Sequence, residues 1–370
     1  MADLVEVKTC SNPGCDQPGT KACSACKITF YCCVICQTAD WNHHKDECPG
    51  HLLKVGKANL VKAMGFEQQR NWGQSLYYAE IAATKLKQLK DRSLETVQLI
   101  DTALRWKFNA LQRLGRHREA KECAEERYTL WAMNHIRNAG SMEAALKLIE
   151  SCLHNKDYDM AEHYARHAMS MINEASEVDI PANHRLAFLA EGSYWLATAI
   201  LNLAESGGIP PEGKQKAGEE AIELAREALR IRTQLLGTES ARVALAMTTL
   251  ADVLDYFNDV DNDEVLRLHA QSNAITCRVE GSSSFNVAAG ENNLGAAYSN
   301  RAKRAEAVND LDRCLANYEL ALPNYREAAR IFRAINHMDN ADLSLFKVAQ
   351  VEEIIRQIGI ARAAAAGGTG

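Results

Sequence analysis

The chain has 370 residues, of which 47% are hydrophobic and only 7 are proline, more apolar material than a single compact core usually organises. Its 42 Lys and Arg against 48 Asp and Glu leave a net charge of -6 with no conspicuous Lys/Arg run, so the electrostatic footprint that nucleic acid demands is missing. No stretch approaches the roughly 18 apolar residues of a membrane span, Tyr194 to Ala204 coming nearest, and neither nucleic acid nor membrane is expected as a partner.

The first fifty residues hold eight of the twelve cysteines: Cys10, Cys15, Cys23, Cys26, Cys32, Cys33, Cys36 and Cys48, with His43 and His44 just before the last. Thiolates bind zinc strongly and a structural site takes four ligands, so this inventory suits two closed sites and two zinc ions. Cys23 and Cys26 form a C-x2-C knuckle. Cys32/Cys36 and His44/Cys48 are each spaced i,i+4, which on a helix brings both side chains to one face. His43 would be i,i+5 from Cys48 and point off that face, which makes His44 the better ligand. Spacing leaves Cys32 and Cys33 open, because Cys33 with Cys36 is also C-x2-C. A disulfide framework would need a secretory context. Met1 to Lys8 lacks the apolar core of a signal peptide and carries Asp3 and Glu6. Zinc is therefore the favoured reading, and the expected compartment is cytoplasm, nucleus or both.

The string Tyr31-Cys32-x3-Cys36-Gln37-x3-Trp41-x2-His44-Lys45-x2-Cys48, preceded by Cys10-x4-Cys15 and Cys23-x2-Cys26, resembles a MYND-type zinc finger at every ligand position. The resemblance implies that Cys32 is used and Cys33 is spare. It also implies a cross-brace, with Cys10, Cys15, Cys32 and Cys36 on one zinc and Cys23, Cys26, His44 and Cys48 on the other. The spacer Ser11 to Gly14 is longer than the commonest two residues, which affects the loop and not the ligand count. In that family proline-rich peptides lie along a short β-hairpin and touch the residues that are here Gln37 and Trp41.

After Pro49-Gly50 the pattern becomes alanine- and leucine-rich and helical. Gly115-Arg-His117-x2-Ala120-x3-Ala124 recurs as Lys156-Asp-Tyr158-x2-Ala161-x3-Ala165, and Trp72, Ser75 and Ala79 repeat the spacing upstream. A second register carries Leu236-Gly237, Val243 and Leu250-Ala251 onto Glu280-Gly281, Val287 and Leu294-Gly295. A unit of this length cannot bury its apolar face alone, so the repeats must stack. They resemble tetratricopeptide repeats. The later ones are similar to those of kinesin light chains, through Ala228-x2-Ile231-x5-Gly237-x5-Val243, Phe285-Asn286-Val287-Ala288 and Asn292-Asn293-Leu294-Gly295-x2-Tyr298. That likeness implies a groove for an extended peptide, marked by Asn292 and Asn293 on a first helix, with Thr248-Thr249 as the weaker equivalent pair. About seven helix pairs are expected, with an elongated turn at Pro210-Pro211 and an extra helix between Asn309 and Pro323.

Other suggestive strings carry little. Gly208-Ile-Pro-Pro-Glu-Gly213-Lys214 lacks the Ser/Thr of a phosphate loop and reads as an inter-helix loop. Asp259-x-Asp261-x-Asp263 has Glu264 where a calcium loop needs glycine. Cys123, Cys152, Cys277 and Cys314 read as small buried hydrophobes, and His117, His163, His167 and His269 have no catalytic companion at useful spacing. A lysine methyltransferase that lost its SET domain is one alternative, but Asn183-His184 falls between expected helices without the rest of a cofactor motif.

The expected molecule is all-α: a tail (1–9), a two-zinc finger (10–48), an α-solenoid of TPR-like pairs (52–360) and a low-complexity tail (361–370). The finger and solenoid are expected to fold semi-independently. The expected function is a non-enzymatic adaptor, with a proline-rich segment at the finger and an extended peptide at the solenoid. The competing reading makes the finger only a structural cap.

Overall fold

The structure, a computed structural model, describes residues 8–258 and 263–367, with side chains through Arg362. Among them the chain forms two short strands and fourteen helices. Strands β1 (Lys21–Ala22) and β2 (Phe30–Tyr31) pair antiparallel ahead of α1 (Val34–His44). Helices α2 (Pro49–Gln68), α3 (Trp72–Lys87), α4 (Leu94–Arg113), α5 (His117–Met133) and α6 (Ala139–His154) share one compact unit with that small module, Met1–Lys156. The second unit, Asp157–Gly370, holds α7 (Tyr158–Glu174), α8 (Ala182–Glu205), α9 (Pro211–Leu236), α10 (Ala241–Phe257), α11 (Asp263–Glu280), α12 (Phe285–Ala307), α13 (Leu311–Ala334) and α14 (Met338–Gly367). Within each unit consecutive helices pack on one another. Helices α2 and α4, α8 and α10, and α10 and α12 also touch. Stacked helix pairs of this kind are an α-solenoid.

The repeat registers have a backbone cause. Arg70, Gly115 and Lys156, which the offsets superpose, follow α2, α4 and α6 with φ of 56°, 72° and 62°. A left-handed residue there lets the chain fold back on the last carbonyls: Asn71 N–H reaches Phe66 O at 2.9 Å and Arg116 N–H reaches Leu111 O at 3.0 Å. Gly237 and Gly281 end α9 and α11 differently, with φ of 74° and 86° and their own N–H groups on Thr233 O and Cys277 O, each at 3.0 Å. The small positions are contact points. Ser75, Ala120 and Ala161 are buried, as are Ala79, Ala124 and Ala165. At Gly295 an added Cβ would stand 2.9 Å from the Tyr325 ring, so α12 and α13 approach as closely as they do only because the residue is glycine.

Several expectations are corrected. There is no separate helix between Asn309 and Pro323. Helix α13 runs through Pro323, held along one face by the buried Tyr318, Ala321, Tyr325 and Ala328. The stretch from Gly208 is loop only as far as Pro210, because Pro211 is the first residue of α9, where its missing N–H has no helical partner to lose. Asn183 and His184 lie in the first turn of α8. Helix α8 itself is 24 residues long with a mean hydropathy of 1.2, long and apolar enough by composition to cross a membrane. Its Leu196, Ala197, Ile200 and Leu203 are instead buried in the second unit. The expected tail from 361 continues α14 as far as Gly367. Asp259 and Asp261 lie outside the described residues.

Each unit buries an arginine that reaches across a helix pair. Arg127 on α5, fully buried, donates from Nε to Asp101 Oδ1 at 3.0 Å and from Nη2 to Asp101 Oδ2 at 3.2 Å, while Trp131 Nε1 donates to Asp101 Oδ1 at 2.9 Å. In the second unit Arg232 donates to Glu191 Oε2 at 3.0 Å and stacks on the Tyr194 ring at 4.1 Å. Removing one partner of such a pair leaves a desolvated charge. Asp101→Ala should lower unfolding free energy by about 3–5 kcal/mol, and pairing it with Arg127→Met should recover most of the loss. Chemical denaturation of the two variants checks this.

Candidate metal centre and groove residues

The amino-terminal module is built to gather thiols. In the first loop Pro13 and Gly14 form the centre of a turn closed by Cys15 N–H to Asn12 O at 3.1 Å, with Gly14 at φ 80°, the geometry of a type II turn. The long spacer is thus a single tight turn that brings Cys15 back beside Cys10. The next loop turns at Lys27, φ 60°, whose N–H reaches Cys23 O at 2.9 Å, and Cys23 N–H bonds Thr29 O at 2.8 Å. Behind the hairpin Tyr31, fully buried, donates its hydroxyl to the buried Asp40 Oδ2 at 2.7 Å. Burial first, then the Asp40 carboxylate, hold the Tyr31 hydroxyl well above its usual range. This bond ties β2 to α1.

Two four-donor clusters result, Cys10/Cys15/Cys32/Cys36 and Cys23/Cys26/His44/Cys48, with all donor atoms of each within 4.8 Å of one another. The edges fit a tetrahedral ion. Zinc–sulfur bonds of about 2.3 Å put sulfurs about 3.8 Å apart; Cys15 Sγ and Cys32 Sγ are 3.7 Å apart and Cys32 Sγ and Cys36 Sγ 3.5 Å. Disulfide sulfurs would be about 2.05 Å apart, and all twelve cysteines are free. In the second cluster Cys26 Sγ lies 3.5 Å from His44 Nε2. Burial opposes ionisation of Cys26, yet the backbone N–H groups of Thr29 and Ile28 and the Thr29 hydroxyl outweigh it and pull the thiol down to about 6. These residues fit two zinc ions. Four protein donors at each site leave no open coordination position, which makes both sites structural.

The two i,i+4 pairs are not helical faces as expected. Helix α1 ends at His44, and Cys48 is the N-cap of α2; Cys32 precedes the Cys33 cap of α1. His44 and Cys48 converge because the chain turns between two helices. Cys33 sits 3.7 Å from Cys32 Sγ but outside both donor sets, and His43 is exposed.

Sequence reasoning missed Gly50 and His51. A Cβ on Gly50 would lie 2.0 Å from the carbonyl oxygen of Ala25, so the first turn of α2 rests on the Cys23–Cys26 knuckle with no room between. The His51 ring meets Trp41 edge-on at 5.2 Å, and Trp41 meets His44 at 5.9 Å. Lys85 on α3 pairs with Asp46 at 3.4 Å. The finger is therefore packed against α2 and α3 within the first unit. Gln37 is half-buried and lies four residues before Trp41, on the same side of α1.

The pair expected to mark the groove is split. Asn292 Oδ1 accepts from Lys347 Nζ at 3.3 Å and from Ser344 Oγ at 3.5 Å, both on α14, so it packs between helices. Asn293 lines a recess of about 580 Å³ with Asn202 and Glu205 of α8, Asp252 and Asp255 of α10, and Asn300 of α12. The equivalent pair divides the same way: Thr248 Oγ1 lies 2.8 Å from Ser272 Oγ of α11, and Thr249 lines the recess.

Cys32→Ser should cost one of the two zinc ions per chain, measured by elemental analysis after gel filtration, while Cys33→Ser should keep both. Gly50→Ala should overpack the knuckle, costing about 1–3 kcal/mol, and should make zinc easier to strip in a chelator competition.

Comparison with known proteins agrees with this geometry. Residues 9–48 match the MYND finger family, and residues 213–242 and 292–323 match the tetratricopeptide repeat family. SET domain and MYND-type zinc finger protein 6 of Schizosaccharomyces pombe is 44% identical over 54 residues, 15% of this chain and 11% of that protein. Deformed epidermal autoregulatory factor 1 of Drosophila melanogaster is 39% identical over 46 residues, 12% of this chain and 8% of that protein. The chain thus spans about a tenth of the length of the curated relatives it matches. Similar solved structures include a putative kinesin light chain with nearly identical TPR-like repeats from Podosopora anserina, at 17% identity, 62% coverage of this chain, 98% of that one and a TM-score of 0.44. Aspartyl phosphate phosphatase F of Bacillus subtilis gives 14%, 86%, 74% and 0.48. Residues 9–48 are a MYND zinc finger, and the helical part of the chain carries tetratricopeptide repeats.

Proposed function

We propose that this protein is a non-enzymatic adaptor whose finger binds a short proline-rich segment and whose second unit binds an extended peptide along α8, α10, α12 and α14. MYND fingers and tetratricopeptide repeats are protein-interaction modules, and a closed four-donor zinc site supports a surface without supplying a reactive position. The observation that carries the reading at the finger is the state of Gln37. Its side-chain amide makes no hydrogen bond among the described residues, and the exposed Val34 and Ile35 open the same helix. An amide with donors and acceptors free beside apolar side chains suits a proline-rich strand, whose carbonyls need donors and whose rings need apolar contact. Zinc-bound thiolates require reduced cysteine, which favours cytoplasm or nucleus.

A second reading, the finger as a structural cap, is favoured by the Gly50 contact and by Trp41, whose ring is engaged by His44 and His51. The likeness to SET domain and MYND-type zinc finger protein 6 covers 54 residues, 15% of this chain, so it offers no ground for transferring a catalytic role. Gln37→Ala separates the two readings. Its melting temperature should match that of the parent, while affinity for a proline-rich peptide, read by fluorescence polarisation, should fall about tenfold. Unchanged affinity in the folded variant would leave the cap reading in possession of the finger.

A further inference from the structure

The recess lined by Asn293 has a neighbour. A second recess of about 550 Å³ lies between α12, α13 and α14, and the two share Ala296, Asn300 and Lys303 of α12. They form one continuous surface with opposite unmet charges at its two ends.

At the α8–α10 end, Asp255 is satisfied: Arg304 and Asn300 both donate to it, Asn300 at 2.7 Å. Glu205 and Asp252 are not. No Lys or Arg lies within ion-pairing distance of either among the described residues. The Asp252 side chain is 41% exposed and has the like charges of Glu205 and Asp255 for neighbours. Glu205 is exposed at the rim of the recess. Among the described residues, the basic group facing Asp252 most closely is His269 of α11, buried to 3% exposure, whose Nε2 stands 3.5 Å from Asp252 Oδ1. Burial pushes the His269 ring down to about 4, so at neutral pH it is an uncharged wall behind two carboxylates. At the α12–α14 end the signs reverse. Lys347 is half-buried with its amine near Asn292 Oδ1 and the Tyr325 ring. Burial lowers its pKa. Lys303 stands exposed at the boundary. The one carboxylate in that recess, Glu353, is already held by Arg356 and Gln357. An uncompensated charge lining a recess is stabilised by a ligand that brings the opposite charge.

We propose that this surface selects an extended peptide carrying both charges: a basic side chain over Glu205 and Asp252, and an acidic side chain against Lys347 and Lys303. From α10 past α12 to α14 is two helix spacings of about 8–10 Å, and an extended chain advances about 3.3 Å per residue, so the two side chains are separated by roughly five to six residues. Asn293, between the two ends, offers its amide to the peptide backbone. The proposal rests on the reading of this face as a peptide groove.

The test uses full-length, zinc-loaded protein and fluorescent peptides with an alanine–threonine host, read by polarisation at low salt. The peptides carry one Lys and one Glu at that separation in both orders, two Lys, two Glu, or no charge. A mixed-charge peptide of at least one order should bind about tenfold tighter than the other three types. Combining Glu205→Gln with Asp252→Asn should abolish the contribution of the peptide Lys and spare that of its Glu. Combining Lys303→Met with Lys347→Met should do the reverse. A two-Glu or two-Lys peptide that binds as tightly as the mixed ones would overturn the proposal. If all peptides bind alike and Asn293→Arg eliminates them all, the charge selection falls while the groove stands. Binding indifferent both to peptide charge and to Asn293→Arg would remove the groove as well.

Discussion

Cys48 does two things that cannot be separated. Its thiol completes the second zinc site, and its carbonyl accepts the Leu52 N–H that opens α2. A metal site and a helix start therefore share one residue, and the knuckle that supplies Cys23 and Cys26 is pressed against Gly50 two residues further on. Zinc binding is folding free energy for a module this small, and here part of it is transmitted straight into the first turn of the helical array. The finger is a terminal element of the first unit with its own metal chemistry. The adaptor and cap readings therefore meet on one side of α1, where Trp41 packs on His51 and Gln37 lies one helical turn before it.

The helical part follows a different constraint, close approach at small side chains. Ala79, Ala124 and Ala165 recur in the first unit and its boundary because a larger side chain would push neighbouring helices apart, and Gly295 recurs on Ala251 for the same reason. Little of the stability comes from exposed ion pairs such as Arg330 with Glu327, which contribute about 0–1 kcal/mol each. Buried pairs such as Arg127 with Asp101 fix which helices may be neighbours, since an arginine deprived of its carboxylate would be left desolvated in the interior.

These two constraints explain what the sequence made legible. Zinc ligands must be cysteine or histidine at short spacings, so the donor sets stood out. The left-handed turns were visible where they fell on Gly115, Gly237 and Gly281. They were hidden at Arg70 and Lys156, where an ordinary side chain adopts the same φ at a cost of about 1–2 kcal/mol. Pro323 suggested a break because local propensity opposes proline inside a helix, but the buried face on either side of it in α13 outweighs one missing hydrogen bond. The roles of Gly50 and His51 had no local signature at all. Both depend on what lies across a gap in three dimensions.

The split of Asn292 from Asn293 follows from helical geometry. Consecutive residues on a helix differ by about 100° in direction, so an adjacent pair cannot face the same neighbour. In each repeat one position must look toward the adjoining helix and the other toward the open face, as Thr248 and Thr249 do one repeat earlier. Stacking fixes the first kind of position: Asn292 is committed to Lys347 and Ser344, and in being so it holds the Lys347 amine at the edge of the recess. The second kind is released from packing and is free to vary in charge. Glu205, Asp252, Lys303 and Asn293 all fall in that class. A repeat array thus separates the residues that hold it together from those that read a ligand, and the unpaired charges collect on the face that stacking leaves open.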